Sequence, residues 1–367
     1  MFYDKCPNCM QDLSGTEYSC PYCNFNINDY TEKDFTLKLF TILNNRYLIG
    51  RVLGIGGFGI TYIGWDLKYQ TYVAIKEYFP EGVVSRNTLT NPNETVVVSH
   101  ENRRPNFEKG LKRYLEEAEN LSKFSHLPGI VNIKEFFYAN DTGYIVMDYI
   151  DGIDLKKYMK QNGYFNEQQV LFLMKPVLDS LCLIHDAGLV HRDISPDNIM
   201  LDNKGHITLI DFGSARNQAM HTEKTFTVTL KHGYAPPEQY YSKGFQGPWT
   251  DVYSICATMY KMLTGKIPTN GLERIEGAPY VTLSEYGIPV SPSTELIIQK
   301  GLSIRHQDRY QSVRELTNAL YYTGYTYRAP VPETPEYTGN SKTPVIAGLA
   351  VALVILIGAI ISILLFV

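Results

Sequence analysis

A glycine-rich turn, Gly54-Ile55-Gly56-Gly57-Phe58-Gly59, closes one strand-like run and opens another, and three polar motifs follow it in order along the chain. Glycines at such places let backbone amides approach phosphate oxygens with no side chain between. Seventeen residues beyond Gly59, the apolar run Val73-Ala74-Ile75 ends on Lys76. His191-Arg192-Asp193 comes next, and Asn198 lies five residues past the aspartate. That pair offers a carboxylate to take the proton of a hydroxyl nucleophile and an amide to hold a metal. Asp211-Phe212-Gly213 then ends the apolar run HITLI and supplies a second carboxylate for a divalent cation. Each piece alone reads equally well as a glycine turn, a surface lysine, an Asx turn or a structural aspartate. Their occurrence together, in this order, has no such reading.

Around the motifs the hydrophobic pattern changes period. From Arg46 it runs in β-branched and aromatic stretches (RYLIGRVLG, YVAIKEYF, GYIVMDYI), and from Asn166 it takes helical spacing (NEQQVLFLMKPVLDSLCLIHDAG, TDVYSICATMYKML, SVRELTNALYY). The pattern predicts an α+β architecture in which a strand-rich lobe precedes a helix-rich one. An apolar share of 44% is ample for a packed core, and a net charge of -4 gives no general attraction to nucleic acid.

On these motifs the chain resembles the eukaryotic-like protein kinases, and more closely the membrane-anchored serine/threonine kinases of bacteria, over roughly residues 46–322. The resemblance implies a bilobal fold with ATP and magnesium as cofactors and protein hydroxyls as acceptors. It makes Asp193 the base, puts Lys76 and the glycine turn on the phosphates, and puts Asn198 and Asp211 on magnesium. It further implies an ion pair between Lys76 and Glu117 in the active form, a gatekeeper at Met147, and a hinge at Asp148-Tyr149-Ile150 that meets adenine above Met200. Asp251 is expected to brace the catalytic loop, and Glu238 to pair with Arg309 at the end of the activation segment.

The departures from that pattern are specific. Thr61 replaces a valine two residues past the last glycine and brings a hydroxyl near the adenine. Residues 77–106 form a long polar insert, to be read as a docking or regulatory element or as a solvated loop. Such kinases carry a lysine two residues after the catalytic aspartate and a threonine seven residues before the glutamate of APE, where this chain has Ser195 and Lys231. A swap is expected, in which Lys231 reaches back towards Asp193 and Ser195 takes the hydroxyl role. Arg192 beside the catalytic aspartate implies control by phosphorylation of Thr222, Thr225, Thr227 or Thr229.

Cys6-Pro-Asn-Cys9 and Cys20-Pro-Tyr-Cys23 place two thiol pairs on similar tight turns, the spacing of a structural zinc site. Two disulfides are the alternative; a compartment that supplies ATP keeps thiols reduced, which favours zinc. Residues 1–40 carry three lysines against six acids, so a protein or intramolecular contact is expected of this ribbon rather than nucleic acid. Cys182 and Cys256 sit in apolar helical runs and read as buried small side chains.

From Pro344 to Val367 no residue is charged, enough for one helix across a bilayer, with Arg328 and Lys342 on the cytoplasmic side. No signal peptide is evident in the first thirty residues, so the rest of the chain is expected in the cytoplasm. Gly348, Ala352, Ala359 and Ser362 share a face of that helix and would allow a close homodimer contact. The expected divisions are a zinc ribbon (1–28), a connector (29–45), the kinase domain (46–322), a linker containing Pro330, Pro332 and Pro335 (323–343), and the membrane helix (344–367). A pseudokinase scaffold that recruits partners through the ribbon or the 77–106 insert is the alternative function. A small-molecule kinase is a further one, though it has no need of the segment ending GYAPPEQ.

Overall fold

The computed structural model describes residues 4–13, 19–86, 95–212, 230–241 and 244–322. Gly213, Thr222, Thr225, Thr227, Thr229, the middle of the insert (87–94), the linker and the expected membrane helix with Gly348, Ala352, Ala359 and Ser362 lie outside the described residues. Among the described residues no helix is long and apolar enough to cross a membrane.

The first lobe is built on an antiparallel sheet. Strands β1 (Ile42–Leu43), β2 (Tyr47–Gly56), β3 (Gly59–Asp66) and β4 (Thr71–Tyr78) follow one another; β5 (Val84–Ser85) and β6 (Val97–Val98) pair apart as a short ribbon. Helix α1 (Arg104–Ser122) then leads to β7 (Ile133–Ala139) and β8 (Thr142–Asp148), giving the order β1-β2-β3-β4-β8-β7. Phe107, Leu111, Tyr114, Ala118 and Leu121 are the buried residues of α1, a spacing of four and three that makes one apolar stripe. The β3–β4 register sets Thr61 opposite Lys76, so both side chains leave the same face of the sheet beneath the glycine turn.

The connector packs on this lobe: Leu37 is buried in the sheet's core, its N–H donates to the Tyr62 hydroxyl (3.1 Å), and Phe35 stacks on Phe79. The insert is not a solvated loop where it is described. Phe79, Val83, Val84, Val96 and Val98 are buried, and Arg86 and Glu77 form a wholly buried ion pair. Burial of these apolar side chains outweighs the solvation of the insert's polar groups.

The second lobe begins with β9 (Gly152–Asp154), α2 (Leu155–Asn162) and α3 (Glu167–Asp186), the last opened by a capping box between Asn166 and Gln169. Strands β10 (Ile199–Asp202) and β11 (Ile207–Leu209) complete a small sheet in the order β11-β10-β9. Helix α4 (Pro248–Thr264) is buried along most of its length, and Gly265 ends it in the left-handed conformation. Around it lie α5 (Gly271–Ile275), α6 (Pro292–Gly301) and α7 (Val313–Tyr321). Residues 149–151 carry the chain from the first sheet to the second, as the sequence periodicity predicts for a strand-rich lobe followed by a helix-rich one.

Candidate active site

Asp251, wholly buried in the first turn of α4, organises the loop that carries Asp193. Its carboxylate accepts the backbone N–H of His191 (2.8 Å) and of Arg192 (2.7 Å), and the His185 ring Nε2 lies 2.8 Å away. Burial alone would raise its pKa, but the His185 contact and the backbone amides outweigh it and hold the carboxyl below the usual range. Arg192 is left-handed (φ +69°), a costly conformation for arginine that these hydrogen bonds maintain. Burial lowers the pKa of the His191 ring and favours its neutral form. Nδ1 accepts the Asp193 N–H (3.2 Å), which leaves Nε2 to face the Ile210 carbonyl at 3.4 Å. Phe212 packs against the same ring, centroids 4.3 Å apart.

The loop delivers Asp193 to a set of polar groups. Asn198 Nδ2 donates to both the carbonyl oxygen and Oδ2 of Asp193, each at 2.8 Å, which leaves its own Oδ1 to offer to a cation. Lys231 Nζ donates to Ser195 Oγ at 2.8 Å and lies 3.3 Å from Asp193 Oδ2. Among the described residues these side-chain contacts all fall on Oδ2, so Oδ1 is the oxygen placed to receive a proton. Burial raises the Asp193 pKa against the opposing pull of Lys231, His191 and Asn198.

In this structure the Lys76 ammonium pairs with Asp211 rather than making the pair with Glu117 that is expected of the active form. Asp211 has φ +59°, and with that backbone its carboxylate meets the lysine directly. From α1 it is Tyr114, one turn before Glu117, that hydrogen-bonds the Lys76 carbonyl oxygen (2.9 Å). Glu117 instead helps line a small recess behind Lys76, together with Met147 and Phe212.

One large cavity, of about 870 Å³, lies between the lobes under the glycine turn. Residues 54–59, Thr61, Lys76, Asp193, Asn198, Asp211 and Lys231 all reach its wall. A volume in the upper range of small-molecule sites and a wall of glycine amides, the ammonium groups of Lys76 and Lys231, and the metal-type oxygens of Asn198 and Asp211 suit a nucleotide with its cation. Asp148, Ile150 and Met200 do not line this cavity. Asp148 ends β8 with its carboxylate on Lys134 (2.7 Å), and Met200 lies in β10 opposite Thr208.

The pattern of the protein kinase domain matches residues 47–318. The chain belongs to the protein kinase family. Among its relatives, the chain is 29% identical over 281 residues to the serine/threonine-protein kinase PrkC of Bacillus subtilis, covering 75% of this chain and 40% of that one. It is 29% identical over 307 residues to the serine/threonine-protein kinase PknB of Mycobacterium leprae, covering 80% of this chain and 45% of that one. The chain thus spans less than half the length of these two relatives. A solved chain described as the apo form of PpkA-294 superimposes with a TM-score of 0.67 at 32% identity, covering 78% of this chain and 99% of that one.

Beyond the cavity, Arg309 makes a two-pronged, buried pair with Glu238 (Nη1–Oε1 2.7 Å, Nη2–Oε2 3.0 Å), and Thr250 Oγ1 adds a bond to Oε1 at 3.1 Å. Sequence reasoning missed Glu77, although strand alternation places it on the face opposite Lys76. There it accepts from Tyr144 (2.6 Å), Tyr62 (3.0 Å) and Arg86, a network that locks the strand carrying Lys76 to the insert. Gln239 was missed as well; its Nε2 donates to the Arg192 carbonyl oxygen (2.8 Å).

The four N-terminal cysteines form a second site. Their sulfurs lie within 4.8 Å of one another, with Cys6–Cys23 and Cys9–Cys20 each 3.7 Å apart, and none is in a disulfide. Sulfurs 2.3 Å from a zinc ion at the centre of a tetrahedron stand about 3.8 Å apart, so the set fits that ion. Both knuckles turn in the same way: Met10 and Asn24 are left-handed, and their N–H groups return to the carbonyls of Cys6 and Cys20.

Proposed function

We propose that this chain is a serine/threonine protein kinase, held to a membrane by residues 344–367 and carrying structural zinc on Cys6, Cys9, Cys20 and Cys23. Convergence of Lys76, Asp193, Asn198 and Asp211 on one cavity beneath the glycine turn supports the activity. Magnesium-ATP supplies the transferable group. Asp193 Oδ1 takes the proton of the acceptor hydroxyl, whose oxygen attacks the γ-phosphorus as the bridging P–O bond breaks and ADP leaves. Asn198 Oδ1 and the Asp211 carboxylate would hold magnesium, which would neutralise charge on the transferring phosphate, and Lys76 would add its ammonium to the other phosphates. Phosphoamino-acid analysis of the full chain in detergent, after incubation with labelled ATP, is expected to show phosphoserine or phosphothreonine; label on tyrosine alone would refute the acceptor assignment. The charge-free run from Pro344 to Val367 supports the membrane anchor. Ile355→Arg is expected to move the chain from the membrane fraction to the soluble one.

Lys231 supplies the cation that other members of the family place two residues after the aspartate, and Ser195 supplies the hydroxyl. Lys231→Ala is expected to lower kcat/KM by roughly 10²-fold through loss of one charged donor at the reacting phosphate. It also removes a cation that lowers the Asp193 pKa. The base works only when deprotonated, so activity falls as pH drops through that pKa, and the acid limb of the profile should move to higher pH in the variant. An unmoved acid limb, or no recovery on adding Ser195→Lys, would remove the swap.

A further inference from the structure

The first cysteine knuckle is fastened to the strand that leads into the glycine turn. The ladder between β2 and β3 slips register between Ile49 and Val52 and again before Gly54. Two amides of the slipped segment find partners outside the sheet. Arg51 N–H donates to the carbonyl of Pro7, inside the Cys6–Cys9 turn (2.8 Å), and Val52 N–H donates to the hydroxyl of Tyr30 (3.2 Å). Gly50 makes the approach possible: a Cβ there would stand 2.2 Å from Met10 Cε and 2.4 Å from the Pro7 carbonyl oxygen. Met10, wholly buried, fills the notch against Leu48, Ile63 and Trp65. Asn8 joins the cluster of sulfurs to the strand, for its Nδ2 donates to Cys23 Sγ (3.2 Å) while its Oδ1 accepts from the Arg51 guanidinium.

On these contacts we propose that the cysteine module is a metal-dependent clamp on the root of the glycine turn, with Asn8 as the positioning residue between metal-bound sulfur and Arg51. This rests on the zinc reading above. Only Val52 and Leu53 separate Arg51 from Gly54, so the turn inherits its origin from the slipped segment. A module of this size folds only around its ion. Without the ion, the Pro7 partner of the Arg51 amide, the Asn8 bridge and the Met10 plug are lost together, and the turn no longer starts from one place. The contacts extend towards the crossing between the lobes, because Gln11 Nε2 donates to the Tyr72 hydroxyl (2.7 Å) and the Tyr72 ring lies 6.1 Å from that of Tyr149. The module therefore serves nucleotide binding, not partner recruitment alone.

The test uses the full chain in detergent, with zinc content measured by atomic emission and the Kd of a fluorescent ADP analogue measured with magnesium. Removal of zinc by a zinc-selective chelator is expected to raise that Kd roughly 5- to 100-fold, the range of ordinary coupling between sites, and re-addition to restore it. Asn8→Ala keeps all four thiols, so it is expected to retain one zinc per chain and still weaken the analogue, with partial recovery in Asn8→Asp. A role confined to stability would lower the unfolding temperature and leave Kd unchanged. Zinc lost on chelation with Kd unmoved, or full affinity in zinc-loaded Asn8→Ala, would overturn the clamp. Purified chain devoid of zinc would overturn the zinc reading itself and the clamp with it.

Discussion

Asp193→Asn is expected to cut phosphoryl transfer by roughly 10²- to 10⁴-fold while leaving magnesium-nucleotide bound, because it removes the carboxylate that takes the proton of the acceptor hydroxyl. The substitution is close to isosteric, and Asn198 can still donate to the backbone carbonyl of residue 193. The fold and the cavity should therefore persist. Single-turnover rates beside nucleotide Kd values make the comparison. A transfer rate within threefold of the parent would show that Oδ1 does not take the proton.

The largest effect on stability is expected from Arg309→Met. Glu238 would keep its Thr250 contact but lose both guanidinium bonds, leaving a carboxylate buried without its cation. Breaking such a pair from one side costs about 3–5 kcal/mol, which corresponds to a fall in Tm of roughly 10 °C for a domain of this size. Arg309→Lys keeps the charge without the fork and should recover only part of it. Calorimetry of the three proteins decides, and a Tm unchanged in Arg309→Met would mean that the pair contributes nothing net.

What could be read in the sequence is what chemistry restricts to a few residue types at set spacings. The glycine turn, Lys76, Asp193, Asn198 and Asp211 come from four distant segments and meet at one cavity, and the cysteine spacing alone located the cluster of sulfurs. The partner of Lys76 could not be read in this way. Asp211 and Glu117 both lie near it, and which of them the ammonium meets is set by three-dimensional placement that spacing does not encode. The insert was legible only in part for a different reason: its polar composition masked Val83, Val84, Val96 and Val98, which are buried in the core, and hid the arginine that pairs with Glu77. Gly50, isolated inside a strand, was the one legible signal of close backbone approach at the clamp.

The most direct test of the central claim is transfer of labelled γ-phosphate by the full chain in detergent, after phosphatase treatment, to itself and to a serine/threonine protein acceptor, with nucleotide binding measured on the same sample. The account predicts magnesium-dependent label on serine or threonine, lost in Asp193→Asn. Tight binding of magnesium-ATP with no transfer to any hydroxyl would contradict it and leave a scaffold in the shape of a kinase.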